Sequence, residues 1–424
     1  MGTLDARPWV VALTTSLAML GACTGAGSTP TPASPASATT AGPPTSLIFR
    51  SDRGVSVVDA TDGRLILDAP QAMPSPDFAT IATASASDGT TTIGLLDAVS
   101  GVPMVSSDVD GALELRAVSA FDGTIALTPV TDAGGEPWAP TPRSTTHITV
   151  ATPGDPTATE RFDLRGNFEP EAFSDDGESL YMLEYRPALN PTTYRVTRLY
   201  LEKDKVWPVF GPDKRIVENM TATRLQQTLS QDGNTLYTLY TNQPPSYLSG
   251  TVVEDADERA FVHTLELRDG FAVCIELPAS FGDLTPDLAG IAVDPAGRFV
   301  YAVDARDGLV VTIDADRLQV SATSTVDLSG IGTGPLAVRL SPDGHMLLIG
   351  GSEGVVAFDT GSMRRATTAP TPGGVTGLAF DDAGSLFVSW DGGIAWLDAA
   401  TLHTRHVLPS PASGGLEFAE AVAG

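Results

Sequence analysis

One short unit recurs along the chain: an apolar strand, a turn that ends in glycine, and a second apolar strand. It reads AFSDDGESLYML over 172–183 and TLSQDGNTLYTL over 228–239. It returns as IAVDPAGRFVYAV over 291–303, VRLSPDGHMLLI over 338–349 and LAFDDAGSLFV over 378–388, with a shorter copy, VSAFDGTIAL, over 118–127. Glycine supplies the positive φ that tight hairpin turns require, and aspartate caps the turn backbone. The turn glycines are Gly123, Gly177, Gly233, Gly297, Gly344 and Gly384. A second unit follows the first: an apolar strand closing on Asp and a small-residue turn. It reads VVDAT from Val57, LDAVSG from Leu96, IDAD from Ile313, FDTGS from Phe358 and LDAAT from Leu397. No amphipathic helix of ten or more residues interrupts the pattern. Two hairpin units every 40 to 60 residues make four strands, A to D, and that is the signature of β-propeller blades.

The Ser-Pro-Asp-Gly turn at 341–344 and the VDPAGRFVYAVD run at 293–304 resemble the WD-repeat-like and Tyr-Val-Thr-Asn-type bacterial propellers. The resemblance spans residues 47–424 and implies an all-β propeller. It does not imply one activity, because propellers host binding, scaffolding and catalysis alike. Trp390-Asp391 lacks the Gly-His partner and the strand position of a true WD repeat. The segment opens at Leu47 with strands B, C and D and no strand A. It ends on GGLEFAE from Gly414, which matches the strand-A copy GLAFDD from Gly377. The C-terminal strand is therefore expected to complete the N-terminal blade and leave no free sheet edge. Counting that shared blade gives eight. Over 47–424, eight blades average about 47 residues and seven about 54, both compatible with known periods plus insertions. Seven is the alternative, because the second and third blades are weakly marked.

The N-terminus reads as an address. An apolar run, WVVALTTSLAML over 9–20, is too short to span a bilayer and has the length of a signal-peptide core. It ends in Leu20-Gly21-Ala22-Cys23, which resembles the lipobox of bacterial lipoproteins. That resemblance implies cleavage of a signal peptide over 1–22 and acylation of the Cys23 thiol. It implies a location on the extracytoplasmic side of the cell membrane. Residues 23–46 would form the lipidated cysteine and a tether, since 24–46 contain only Thr, Gly, Ala, Ser and Pro and cannot build a core. The other cysteine, Cys274, lies among apolar neighbours and reads as a buried, inert thiol.

Charge narrows the partners. There are 25 basic and 52 acidic residues, a net charge of −27, and no basic patch. Nucleic acid is excluded on that ground. The histidines, His147, His263, His345, His403 and His406, have no zinc-site spacing. No nucleophile elbow, P-loop or dinucleotide fingerprint appears. Ser87-Asp88-Gly89 departs from the sialidase Asp-box spacing. The acidic turns at 108–111, 174–177 and 254–258 each supply too few converging oxygens for calcium. Catalytic residues, metal ligands and cofactors are therefore not assigned.

Loop length carries the functional expectation. Strands B and C are joined by a few residues in blades six to eight, but by long segments in three consecutive earlier blades, near 131–146, 186–193 and 241–260. In a propeller these connections emerge on one face. They carry Trp138, Arg143, Arg186, Tyr247 and Arg259, residue types that dominate binding hot spots. The expectation is a lipid-anchored binding or scaffold module of the cell envelope, with a protein, peptide or glycan as partner. The alternative is a lactonase-like or other propeller hydrolase with a site at the central channel.

Overall fold

The computed structural model describes residues 45–130, 141–211, 220–243 and 259–421. These form eight four-stranded antiparallel sheets. Seven blades are built from consecutive strands. The remaining one joins Thr45–Ser51, Gly54–Asp59 and Leu65–Pro70 to the last strand, Gly415–Ala421, which takes the innermost position. The count is eight, and the C-terminal strand completes the N-terminal blade as expected. Its register runs from Thr45 opposite Ala421 to Arg50 opposite Gly415. Numbered from this shared blade, blades 2 to 8 begin with the inner strands Met73–Pro74, Leu113–Val118, Asn167–Phe173, Thr223–Leu229, Ala289–Val293, Ala337–Leu340 and Val375–Phe380.

The repeated turn has one chemical design. In blades 2, 4, 5 and 7 a serine hydroxyl (Ser75, Ser174, Ser230, Ser341) donates to the Asp two residues on, at 2.5–2.6 Å. The same oxygen accepts the amide five residues on, from Thr80, Ser179, Thr235 and Met346. In blades 6 and 8 an aspartate, Asp294 or Asp381, replaces the serine and takes the backbone amides itself. The six turn glycines all have φ of 70–78°. Blade 2 is the exception that hid it in the sequence. Its turn places Phe78 at the glycine position with φ 57°, and its inner strand is only two residues long. A bulky residue in the left-handed region is strained. The Phe78 ring stacks on Phe418 of the closing strand, centroids 4.6 Å apart and planes within 3°, which offsets that strain.

The second turn unit, between strands C and D, is also side-chain capped. Asp97 and Asp359 accept the amide and hydroxyl of Ser100 and Ser362, and Asp398 those of Thr401. Asp97 and Asp359 are held below the usual carboxylate range, chiefly by those serine hydroxyls. Arg405 takes Asp398 down to about 2.

Apolar cores lie between neighbouring blades. The largest aromatic one joins blades 4 and 5 through Tyr185, Tyr194, Tyr240 and Phe261. Beside it, His263 is 2% exposed, and burial alone lowers its pKa to about 4. Its cross-strand partner is Cys274, whose thiol burial pushes up to about 12, in keeping with an inert thiol. Three residues along the same strand, burial raises the Glu266 carboxyl to about 7, with Asp269 adding to it. These two groups pull stability in opposite directions. Unfolding lets His263 bind a proton below its ordinary value near 6.5, so stability falls from pH 6.5 to 4, by about 3 kcal/mol in full. Glu266 holds its proton only in the folded state, so its contribution is lost as pH rises from 4.5 to 7. His263→Gln is therefore expected to gain stability relative to the parent as pH drops from 7 to 5, and Glu266→Gln to lose it. Urea midpoints at the two pH values measure both; a parallel shift for the two variants would contradict the assignment.

Candidate functional site at the mouth of the channel

Three inner strands in a row turn charged side chains into the central channel, and each is bulged. The register slips between Leu115 and Ala117 in blade 3, Pro170 and Ala172 in blade 4, and Arg224 and Gln226 in blade 5. Blades 6 and 7 pair there without interruption, while the inner strands of blades 8 and 1 also slip, between Val375 and Gly377 and opposite Ile48 and Phe49. A bulge re-aims the side chains around it, and here Glu114, Arg116, Glu169, Glu171, Arg224 and Gln227 line one cavity of about 460 Å³. The opposite side of the cavity is made by Arg50, at the end of strand B of blade 1, Asp52 in the B–C turn after it, Gln71 in the crossing to blade 2 and Met73 at the start of the next inner strand. The mouth therefore opens on the face that carries the B–C connections.

The charges interlock across blades. Glu169, 7% exposed, meets the Arg116 Nε at 3.3 Å and accepts from Arg143 at 2.9 Å. Arg116 also pairs with Glu114, and its Nε reaches the Thr128 hydroxyl. Glu171 Oε1 accepts from Arg224 at 2.8 Å and from Gln227 at 3.0 Å. Desolvation raises the Glu114 carboxyl despite Arg116 beside it. The result is a rigid floor of alternating carboxylates and guanidiniums joining blades 3, 4 and 5. It offers both donors and acceptors, which suits hydrogen bonding to a polar group. No histidine lines it, and among the described residues no group of three or more His, Cys, Asp or Glu assembles to hold a metal.

The long B–C connections are where the sequence puts them. Strand B ends at Pro129, Arg186 and Gln243 in blades 3, 4 and 5, and strand C begins at Thr145, Thr193 and Arg259. Elsewhere the same connection is short, as between Trp390 and Gly393. Of the residues proposed for the binding face, Cys23 aside, Trp138 and Tyr247 lie outside the described residues, and so does Cys23 itself. Arg259 opens a strand opposite Gln243. Arg186 stands at the top of blade 4, half exposed, with Glu184 at 3.6 Å. Arg143 is buried at the foot of its connection, where it donates to Glu169 and to the Phe168 carbonyl. The structure thus ties the end of the blade 3 connection into the floor of the cavity. Glu169, Glu171 and Arg224 were missed in the sequence. The signal was available: Glu169 and Glu171 stand five and three residues before the turn serine of blade 4, where blade 6 carries Ala289 and Ile291 and blade 8 carries Thr376 and Leu378.

The chain is an eight-bladed β-propeller with a charged cavity at one mouth of its channel. No family model matches its sequence, and no curated protein does. Among solved structures it is similar to apo AztD from Citrobacter koseri, with a TM-score of 0.51 and 11% identity over 88% of this chain and 97% of that one. It is also similar to the dihydro-heme d1 dehydrogenase NirN in complex with DHE, at 0.45 and 14% over 82% and 66%, and to the Dos1 propeller, at 0.46 and 9% over 80% and 83%. At these identities the likeness is one of fold.

Proposed function

We propose that this propeller is the folded head of a lipid-anchored envelope protein and that it binds a protein or peptide on its B–C face. The observation that carries the reading is a coincidence of place. The three blades with long B–C connections are the three whose inner strands build the charged cavity. Scattered insertions would be tolerated in any blade, since loop length costs little. Their concentration above one cavity, with Arg143 coupling a connection to the floor, favours a single recognition surface. A partner reaching that floor meets fixed donors and acceptors that have already been ordered, which lowers the cost of binding.

The test is crosslinked capture from detergent-solubilised envelope. The intact protein is compared with one in which 132–140 and 245–257 are replaced by short Gly-Ser turns. Those limits spare Arg143 and both flanking strands, so the floor survives. Arg186→Glu is the point-charge companion. One crosslinked partner is expected with the intact protein and lost in both variants. Equal capture by all three would refute the assigned face.

A further inference from the structure

The opposite face carries a second surface, and we infer that it rests on the lipid bilayer. This inference deepens the anchored reading above and depends on it. Several exposed large apolar side chains lie on the face where strands C and D, and strands A and B, turn, the last of them in the A–B turn. They are Leu65 on blade 1 (38% exposed), Val102 and Met104 on blade 2 (57% and 56%) and Phe121 on blade 3 (67%). The turns that carry them pack on the adjoining blades. Gly101 packs against Ile66 and Leu67 of blade 1 so closely that an added Cβ would touch the Leu67 Cβ at 3.2 Å. Gly123, two residues after Phe121, sits against the Leu95 side chain of blade 2, whose cross-strand partner is Val105.

The path of the chain says what covers this rim. Strand Thr45–Ser51 begins on the same side of the ring, and the Ser46 hydroxyl donates to the Val99 carbonyl at 3.0 Å. Val99 belongs to the turn that leads to Val102. The covalent link from Cys23 therefore enters the ring beside these residues, and the sequence between, 24–44, is Thr, Gly, Ala, Ser and Pro. Those 21 residues span at most about 75 Å even at full covalent extension. An acyl chain at Cys23 thus presents the membrane to this rim at high effective concentration. Weak apolar contacts suffice under those conditions, because the anchor supplies the second membrane signal. The same turns carry Asp59, Asp62 and Asp97, so the surface fits neutral headgroups and is repelled by anionic ones. With this rim on the bilayer, the charged cavity faces away from it, toward soluble or envelope partners.

The test uses the full-length protein in neutral-lipid proteoliposomes. Met104→Cys and Leu189→Cys variants carry an environment-sensitive fluorophore. Leu189 is 65% exposed on the B–C side and serves as the opposite-face reference. Cys274, which is partly buried, is replaced by alanine in both variants so that the fluorophore has one site. Lipids bearing a doxyl quencher are expected to quench position 104 several-fold more than position 189. Adding Val102→Asp or anionic lipid should abolish the difference. Equal quenching, or stronger quenching at 189, overturns the inference while leaving the anchor intact. Intact mass without a lipid on Cys23 overturns both.

Discussion

Replacing Glu169 by alanine is expected to destabilise the ring by about 3–5 kcal/mol, the range for leaving a buried partner charge uncompensated. Arg116 and Arg143 both lean on this one carboxylate, at 3.3 and 2.9 Å. The loss should appear in urea unfolding as a lower midpoint with an unchanged slope. Replacing Glu169, Arg143, Arg116 and Glu114 together by methionine or leucine should recover most of it, because an apolar set has no stranded charge. A loss below about 1 kcal/mol for the single change would mean that the network behaves as an exposed surface pair. The floor of the cavity would then be soft, and its role as a prepared recognition surface would fail with it.

Gly377→Ala is expected to cost about 3 kcal/mol or more through overpacking. An added Cβ would lie 2.2 Å from the Leu416 amide nitrogen, 2.3 Å from its carbonyl oxygen and 2.7 Å from its Cα. These are backbone atoms of the closing strand, so no rotamer relieves the clash. The inner strands of blades 8 and 1 must move apart. Gly233→Ala is the control: it has φ of 73° but nothing within 4 Å, so it should lose only the left-handed penalty of about 1–2 kcal/mol. Limited proteolysis distinguishes the two, with cleavage near 415–421 rising in the first variant alone. Equal costs would show that the blade 8 contact yields more easily than its geometry implies.

Architecture was legible because it is written in local chemistry. A glycine with positive φ and a serine or aspartate that caps the turn occupy fixed offsets in blades 4 to 8, so those five could be read directly, while in blade 3 Gly123 stands four residues after Ser119 instead of three. Blade 2 was faint for a definite reason: Phe78 occupies the glycine position and is supported by Phe418, its partner 340 positions away in the sequence. Nothing local announces that pairing. The channel floor was harder still. Its charges face inward because inner strands are bulged at Leu115/Ala117, Pro170/Ala172 and Arg224/Gln226, and a one-residue slip reverses which side a residue faces. Arg143 illustrates the same limit. Its type and loop suggested a surface contact, whereas its partner Glu169 lies on the next blade.

Closure of the first blade by Gly415–Ala421 makes the ring sensitive to its own completeness. Until the final strand docks, Thr45–Ser51 presents a bare edge of amides and carbonyls that would ordinarily pair. Translation reaches Gly415–Ala421 after the strands of the seven consecutive blades, which are therefore made beside an open circle. Loss of that one strand removes the seam and leaves Thr45–Ser51 ready to join another molecule or to enter a protease. Closure of the ring is thus reported at a single position, by whether Thr45–Ser51 is covered.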